Sequence, residues 1–390
     1  MASLIRPYQI AVAEEAVHEL RRRIAATRWP TSIESAGWAM GMDTAYLRWL
    51  AERWLNDFNW RAVEADLNGY PQFLAEVGPE PIHFVHLRGT GSEPIPIILT
   101  HGWPSTYAEL LKLGCALAEP SGHGQRDAVS FDVVIPSLPG YGFSPAPRSL
   151  GTNVFTIADQ WAALMSALGH QRFIAHGGDI GAGVSTALGL RYSDRLAGVH
   201  LTYIPGSYQP FLDPSTPNAS ALSAAEIAWQ AQRAAWTDAE GGYAHVQGTK
   251  PDVLGPALND SPVGLAAWIV DKYRSWSDCD GDLNTRFTST DLLTVISIYW
   301  FSQSMPSAIR LYWEGRRAPM HLAAGERITV PVAVAHFPKE LPIPPRSYVE
   351  RGYNITRWTE FSRGGHFAAL EETDELARDI RSFAREIYPR

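Results

Sequence analysis

Cysteine is almost missing from this chain. Cys115 and Cys279 are its only two among 390 residues, and they lie far apart without metal-ligand spacing. That excludes a disulfide framework and a cysteine-built zinc site, and it fits a reducing compartment, so a cytoplasmic protein is expected. Charge is sparse as well, at 19% of residues, and its balance is acidic, with a formal net charge of -8. Nucleic acid and anionic membrane surfaces select basic patches, so neither is an expected partner. No long apolar run opens the chain, and its first helical segment carries Glu14, Glu15, Arg21, Arg22 and Arg23. A signal peptide or membrane anchor is therefore not expected. Internal repeats and low-complexity segments are also missing. What is there is 45% hydrophobic sequence, enough to bury a large core in an ordinary globular protein.

The pattern of that hydrophobic content changes along the chain. Residues 13–28 read as an amphipathic helix, with Val17, Leu20 and Ile24 on one face and Trp29-Pro30 as its stop. The next stretch interleaves Trp38, Tyr46, Trp49, Trp54, Phe58, Trp60, Tyr70 and Phe73 with charges, as a helical wrap docking its aromatics would. From Ile82 onward short apolar runs alternate with helical segments, the signature of a mainly parallel sheet covered by helices. Strands are expected at 82–87, 95–100, 131–138, 172–176, 196–201, 330–337 and 355–361, and helices at 105–119, 156–168, 181–192 and 372–387. After Tyr203 the alternation stops until about Val330, and an insertion that long reads as a helical lid. The expected division is an N-terminal helical meander (1–80), a first part of an α/β core (81–204), a lid or cap (205–325) and a second part of the core (326–390).

The segment 172–185, Arg-Phe-Ile-Ala-His-Gly-Gly-Asp-Ile-Gly-Ala-Gly-Val-Ser, carries the chemistry. A strand-like run breaks at paired glycines, presents Asp179, and continues through small residues into a helical pattern. Gly177 and Gly181 flank Asp179 at the spacing of a nucleophile elbow, the strained strand-to-helix turn of the α/β-hydrolase fold, with a carboxylate where serine usually stands. A carboxylate is ionised at neutral pH without a base, and its attack on saturated carbon gives an alkyl ester that something else must hydrolyse. Two other readings compete. A phosphate-binding loop is disfavoured because the glycine spacing does not fit G-x-G-x-x-G and a carboxylate repels phosphate. An aspartate that caps the following helix stays open on this segment alone.

Partners for Asp179 lie on either side of the lid. His101-Gly102-Trp103-Pro104 follows the second expected core strand, where an α/β-hydrolase places the loop facing the elbow. The backbone N–H groups of Trp103 and Ile180 are the oxyanion-hole candidates, and His101 reads as a loop histidine that holds backbone geometry. Gly140-Tyr141-Gly142-Phe143-Ser144 reads as a conformationally demanding loop at the strand ends. The lid holds Trp229, Trp236, Trp268, Trp276, Trp300 and Trp313, implying a largely nonpolar pocket in which a tyrosine hydroxyl could hydrogen-bond a developing alkoxide. His366, in Arg363-Gly364-Gly365-His366-Phe367, obeys the chain order nucleophile, acid, histidine. For the acid, Glu340 follows the preceding strand, and Glu360 is the alternative.

Together these segments resemble epoxide hydrolases of the microsomal type, in a soluble, bacterial-like branch. The resemblance runs nearly end to end, from Arg6-Pro7-Tyr8 and Thr27-Arg28-Trp29-Pro30 through His101-Gly102-Trp103-Pro104 and Gly177-Gly178-Asp179 to Arg363-Gly364-Gly365-His366-Phe367-Ala368-Ala369. In the lid, Gly242-Tyr243-Ala244-His245-Val246-Gln247 and Leu258-Asn259-Asp260-Ser261-Pro262-Val263-Gly264-Leu265-Ala266 resemble the segment bearing one epoxide-binding tyrosine, which carries that role to Tyr243. Tyr312, followed two residues later by Glu314, resembles the second lid tyrosine, with Tyr299 as its rival. The Phe-Pro-x-acid pattern carries the charge-relay role to Glu340. One departure is Ile180, where family members commonly have tryptophan.

The resemblance implies an α/β-hydrolase fold and a vicinal diol made from a largely apolar epoxide. Asp179 forms the ester, Tyr243 and Tyr312 hold the epoxide oxygen, and His366 with Glu340 activates water. No metal or organic cofactor is implied. The expected partners are a small-molecule epoxide and water, and a homodimer is an admissible assembly. Two rival functions use the same fold. A haloalkane or haloacid dehalogenase needs halide donors, often a tryptophan where this chain has Ile180. A silent small-molecule binding protein would have lost chemical residues that are all present here.

Overall fold

The computed structural model describes residues 4–91, 93–120, 129–212 and 222–388. Nine strands form one sheet: β1 (Ile5–Pro7), β2 (Gln72–Ala75), β3 (Ile82–Leu87), β4 (Ile95–Thr100), β5 (Phe131–Pro136), β6 (Phe173–Gly177), β7 (Leu196–Leu201), β8 (Ile328–His336) and β9 (Tyr353–Glu360). Their spatial order is β1-β2-β3-β5-β4-β6-β7-β8-β9. From β5 to β9 neighbouring strands run parallel. β1, β2 and β3 complete one edge in antiparallel pairing. β3, β5, β6 and β7 are buried along their whole length, as strands covered on both faces must be. β5 and β6 lie on opposite sides of β4, so the strand order reverses there. In open parallel sheets the crevice at such a switch point is where ligands bind.

The expected core strands agree with the observed ones to within two residues, and so do the helices, except that 105–119 splits into a 3-10 turn (Tyr107–Leu110) followed by an α-helix over Leu111–Ala118. The N-terminal segment differs from a purely helical meander. It forms α1 (Glu14–Ala25), α2 (Thr44–Asn56) and α3 (Trp60–Asn68), and it also supplies β1 and β2. Those strands are three and four residues long, too short for a two-residue period to emerge, and β1 ends on Pro7 at the open edge. Its aromatics and arginines reach the inserted helices: Trp54 Nε1 donates to Ser297 Oγ at 3.0 Å, and Arg23 donates to the Asp260 carbonyl at 2.6 Å.

The core helices are α4 (Leu111–Ala118), α5 (Val154–Ala167) and α6 (Asp179–Arg191). The insertion supplies α7 (Ala224–Glu240), α8 (Gly242–Thr249), α9 (Pro251–Asp260), α10 (Pro262–Trp276), α11 (Ser289–Ser302) and α12 (Met305–Gly315), while residues 213–221 of the expected lid lie outside the described ones. The short α13 (Arg346–Val349) and α14 (Ala368–Glu371) precede the last helix, α15 (Thr373–Ile387). Capping residues mark the helix starts. Asn153 with Thr156, Ser223 with Glu226 and Thr288 with Asp291 form capping boxes on α5, α7 and α11, each worth about 1 kcal/mol.

The lid is tied down where the sheet ends. Tyr141 Oη donates to the Ala308 carbonyl at 3.0 Å and Ser307 Oγ to the Gly140 carbonyl at 2.6 Å. Gly140 and Gly142 both take positive φ in this loop, at 77° and 52°. A side chain at either position would be strained, as the run of glycines suggested. Behind the sheet, Asp132 on β5 takes hydrogen bonds from His86 at 3.2 Å and Arg88 at 3.0 Å, with His170 at 3.1 Å. Two donors thus satisfy one buried carboxylate, while His170 Nε2 stands beside it without making a hydrogen bond, and we read the cluster as structural.

Candidate active site

Asp179 stands at the turn from β6 into α6 with φ of 47°, a left-handed conformation that a residue with a β-carbon adopts only where its surroundings enforce it. The packing behind it explains the small residues. A β-carbon on Gly181 would stand 2.0 Å from the Thr100 carbonyl oxygen, and one on Gly177 would stand 2.3 Å from the backbone of Gly181. β4 and the elbow are therefore in backbone contact, and Gly181→Ala has nowhere to go. We expect that variant to lose about 3 kcal/mol of stability, read as a lowered urea midpoint. An unchanged midpoint would mean that the elbow yields to an added methyl group.

The loop after β4 meets the carboxylate. Trp103 N–H donates to Asp179 Oδ1 at 2.9 Å. Ile180 follows at the start of α6, where backbone N–H groups have no partner within the helix, and its side chain lines the cavity above Asp179. His101 is buried, its Nδ1 3.0 Å from the Gly102 carbonyl and its Nε2 accepting from Leu138 N–H at 3.1 Å. It braces two loops, and burial lowers its pKa to about 4, so the ring is neutral.

His366 faces the other carboxylate oxygen. Its Nε2 lies 3.6 Å from Asp179 Oδ2, and its Nδ1 lies 2.5 Å from Glu340 Oε1. Lid and core meet here, since His366 N–H donates to the Trp276 carbonyl at 2.8 Å and the two rings pack edge to face. Burial alone would depress the imidazolium, but the carboxylates of Glu340 and Asp179 on its two sides outweigh that and hold its pKa well above the usual value. Glu360, the alternative acid, is instead at the surface, 3.3 Å from His336 and accepting from Trp358.

Tyr243 and Tyr312 come together over the elbow. Tyr243 stacks on Trp103 with ring centres 5.1 Å apart, and Tyr312 meets both rings edge-on at 5.6 and 5.8 Å. Burial, reinforced by neighbouring acidic groups, pushes both phenols well above 10, so they are donors across the neutral range. Tyr299 faces elsewhere, its hydroxyl donating to the Ser105 carbonyl at 2.7 Å. Asp179, Ile180, Tyr243 and Tyr312 line a cavity of about 510 Å³, whose walls include Trp236, Leu311, Met320 and Leu341.

The chain has counterparts among known proteins. Residues 5–110 match the epoxide hydrolase N-terminus family, and residues 95–240 match the alpha/beta hydrolase fold family. Epoxide hydrolase 1 of Sus scrofa is 34% identical over 407 residues, covering 97% of this chain and 88% of the pig protein. The chain belongs to the epoxide hydrolase family. Among solved structures, the epoxide hydrolase of Aspergillus niger aligns with a TM-score of 0.84 and 31% identity, covering 99% of this chain and 97% of that one. Juvenile hormone epoxide hydrolase of Bombyx mori aligns with a TM-score of 0.83 and 27% identity, covering 99% and 94%. As an epoxide hydrolase the protein is a hydrolase acting on epoxide ether bonds, on an α/β-hydrolase fold. Among the described residues no helix is long and apolar enough to cross a membrane.

Sequence reasoning passed over one carboxyl beside the site. Glu109 is buried in the turn that follows Pro104, and burial pushes its pKa up to about 7. It lines a cavity of about 30 Å³ together with Asp179, His366 and Thr202, the size of a single water. No spacing in the sequence marks Glu109, and a lone acid in a turn reads as a surface group.

Proposed function

We propose that this epoxide hydrolase works through a covalent alkyl-aspartate ester on largely apolar epoxides. The observation that carries the reading is the line Glu340, His366, Asp179, with 2.5 Å and 3.6 Å between its members, lying beneath two protonated tyrosines. Tyr243 and Tyr312 hydrogen-bond the oxirane oxygen while Asp179 Oδ2 attacks a ring carbon from the opposite side. The C–O bond of the ring breaks, and the alkoxide takes a phenolic proton. The tyrosinate left behind is reprotonated at the expense of the His366 imidazolium. That transfer becomes favourable once esterification has removed the Asp179 charge that helped to hold the proton on His366.

Neutral His366, oriented by Glu340, then takes a proton from water, and the hydroxide adds to the ester carbonyl. Trp103 N–H already donates to Asp179 Oδ1, the oxygen that becomes the oxyanion, and Ile180 N–H is its proposed companion; each donor contributes about 3 kcal/mol in comparable sites. The small cavity beside Glu109, lined by both Asp179 and His366, suits the hydrolytic water. Collapse of the tetrahedral adduct releases the diol, restores the Asp179 carboxylate and leaves His366 protonated as at the start. None of these steps calls for a metal or cofactor.

The direct test is a panel of aryl and alkyl epoxides and haloalkanes assayed for diol and for halide, with diol alone expected. Halide release would favour the dehalogenase reading, and turnover of neither class would favour a binding protein. The tyrosines separate further. Tyr312→Phe and Tyr243→Phe should each slow ester formation about a hundredfold, as loss of a preorganised donor does, whereas Tyr299→Phe should leave its rate near wild type because that hydroxyl is committed to Ser105. Rapid-quench measurement of ester formation checks all three. A slow Tyr299 variant beside a normal Tyr312 variant would move the role.

A further inference from the structure

Charge is distributed unevenly along the cavity above Asp179. At its reactive end stands the Asp179 carboxylate, and elsewhere on its wall are Arg233 from α7 and Arg316 just past α12, with His245 also lining it. The rest of the wall includes the apolar Trp236, Leu311 and Met320. Two arginines on one cavity run against the composition of a chain whose 41 acids outnumber its 33 bases. Neither makes an ion pair with a carboxylate among the described residues. Arg233 Nη2 donates to the Gly206 carbonyl at 2.6 Å, and its guanidinium lies 5.7 Å from the ring centre of Trp229. The exposed Arg316 runs past Gly248, where a β-carbon would meet its Cδ at 3.6 Å. By contrast Arg310, on the outer side of α12, is taken up by Asp252 at 2.6 Å.

Arg233 also reaches the reaction centre electrostatically. Its charge is felt by Tyr203, which burial and the carboxylates of Glu340 and Asp179 hold above the usual phenol value, and Tyr203 packs edge-on to His366 at 6.0 Å. Glu240, another acid of this region, acts on Tyr243 and is faced by Lys272 at 3.6 Å. A guanidinium presents paired donors that match a carboxylate, and it stays charged at every working pH.

We propose that the preferred substrates are apolar epoxides bearing a carboxylate remote from the oxirane, with Arg233 and Arg316 binding that carboxylate, a selectivity that rests on the epoxide hydrolase reading. Asp179 repels the anionic end and the arginines attract it, so the pair also orients the molecule with its oxirane toward the nucleophile. The apolar wall covers the chain between the two ends.

The test compares a medium-chain carboxylic acid carrying a terminal epoxide with its methyl ester. At low ionic strength the wild-type enzyme should convert the acid with roughly tenfold higher kcat/KM, as expected for partly exposed charge pairs. The gap should lie in KM and shrink as salt is added. In the Arg233→Gln, Arg316→Gln double variant the acid-to-ester ratio should collapse to about one, and in the Arg→Lys double variant it should be partly retained. Equal or faster conversion of the ester by the wild type would overturn the proposal, and so would a Gln double variant that keeps the preference. Conversion of neither compound would overturn the epoxide hydrolase reading beneath it, a different failure from loss of selectivity.

Discussion

His366→Gln, mixed with excess aryl epoxide, is expected to gain the mass of one substrate molecule and then stop. Attack by Asp179 needs no base, so alkylation should proceed, while ester hydrolysis should fall by roughly a thousandfold without a group to deprotonate water. The variant removes one arm of a tight arrangement. Glu340 is fully buried and holds the imidazole at 2.5 Å, and its Oε2 has no hydrogen-bond partner among the described residues. Glutamine keeps a donor for Glu340 and the approximate volume, so the fold should survive, which a thermal melt checks. Intact-protein mass spectrometry should then show the adduct persisting for hours. An unmodified variant would place His366 ahead of ester formation.

The same assignment sets the sign of the pH dependence. In the resting enzyme burial is outweighed by the carboxylates of Glu340 and Asp179, which hold the His366 pKa well above its ordinary value and favour the imidazolium form. Esterification neutralises Asp179 and leaves only Glu340 beside the ring, so the pKa of His366 must fall in the intermediate. Hydrolysis of the isolated ester should therefore speed up as pH rises through that lowered value. Alkylation should show no such rise, because Asp179 is already ionised and attacks without a base. Stopped-flow rates of the two half-reactions, measured separately across neutral pH, would show one profile for both if His366 served both steps alike.

The sheet was largely legible in the sequence because its strands are continuous apolar runs, and a parallel strand buried on both faces has no other pattern to show. The elbow was legible because only glycine allows backbones to come as close as Gly181 and Thr100 do. β1 and β2 were not legible. Three or four residues show no period, and β1 finds its partner β2 about seventy positions along the chain, Ile5 against Ala75. Periodicity also cannot tell Tyr299 from Tyr312, since both are buried lid tyrosines. What separates them is direction, one hydroxyl turned to the Ser105 carbonyl and the other ring set over Trp103. Glu109 was missed for a related reason: its meaning comes from burial beside His366 and Asp179, which sequence spacing does not report. The arginines of the cavity became informative only once their lack of acidic partners among the described residues could be seen.

Oxygen atoms provide the sharpest prediction, because they separate covalent attack by Asp179 from direct attack of activated water on the oxirane. With enzyme in excess over epoxide in oxygen-18 water, the first diol should be almost wholly unlabelled, since its new oxygen comes from the Asp179 carboxylate. The solvent oxygen should appear instead in the peptide that contains Asp179. The geometry makes the two carboxylate oxygens unequal. Oδ1 is held by Trp103 N–H at 2.9 Å, and Oδ2 faces His366 at 3.6 Å. Oδ2 should thus be the atom passed to product, and heavy oxygen should replace it in later turnovers. Direct hydrolysis predicts the reverse, a fully labelled diol in a single turnover and an unchanged peptide. Asp179→Asn supplies the second arm. A neutral amide is a poor nucleophile, so it should abolish ester formation and lower turnover by at least about a thousandfold, whereas an aspartate that merely caps α6 would tolerate asparagine, an equally good cap. Retained activity in that variant, together with labelled first-turnover diol, would reassign Asp179 to the helix and leave His366 acting on water alone.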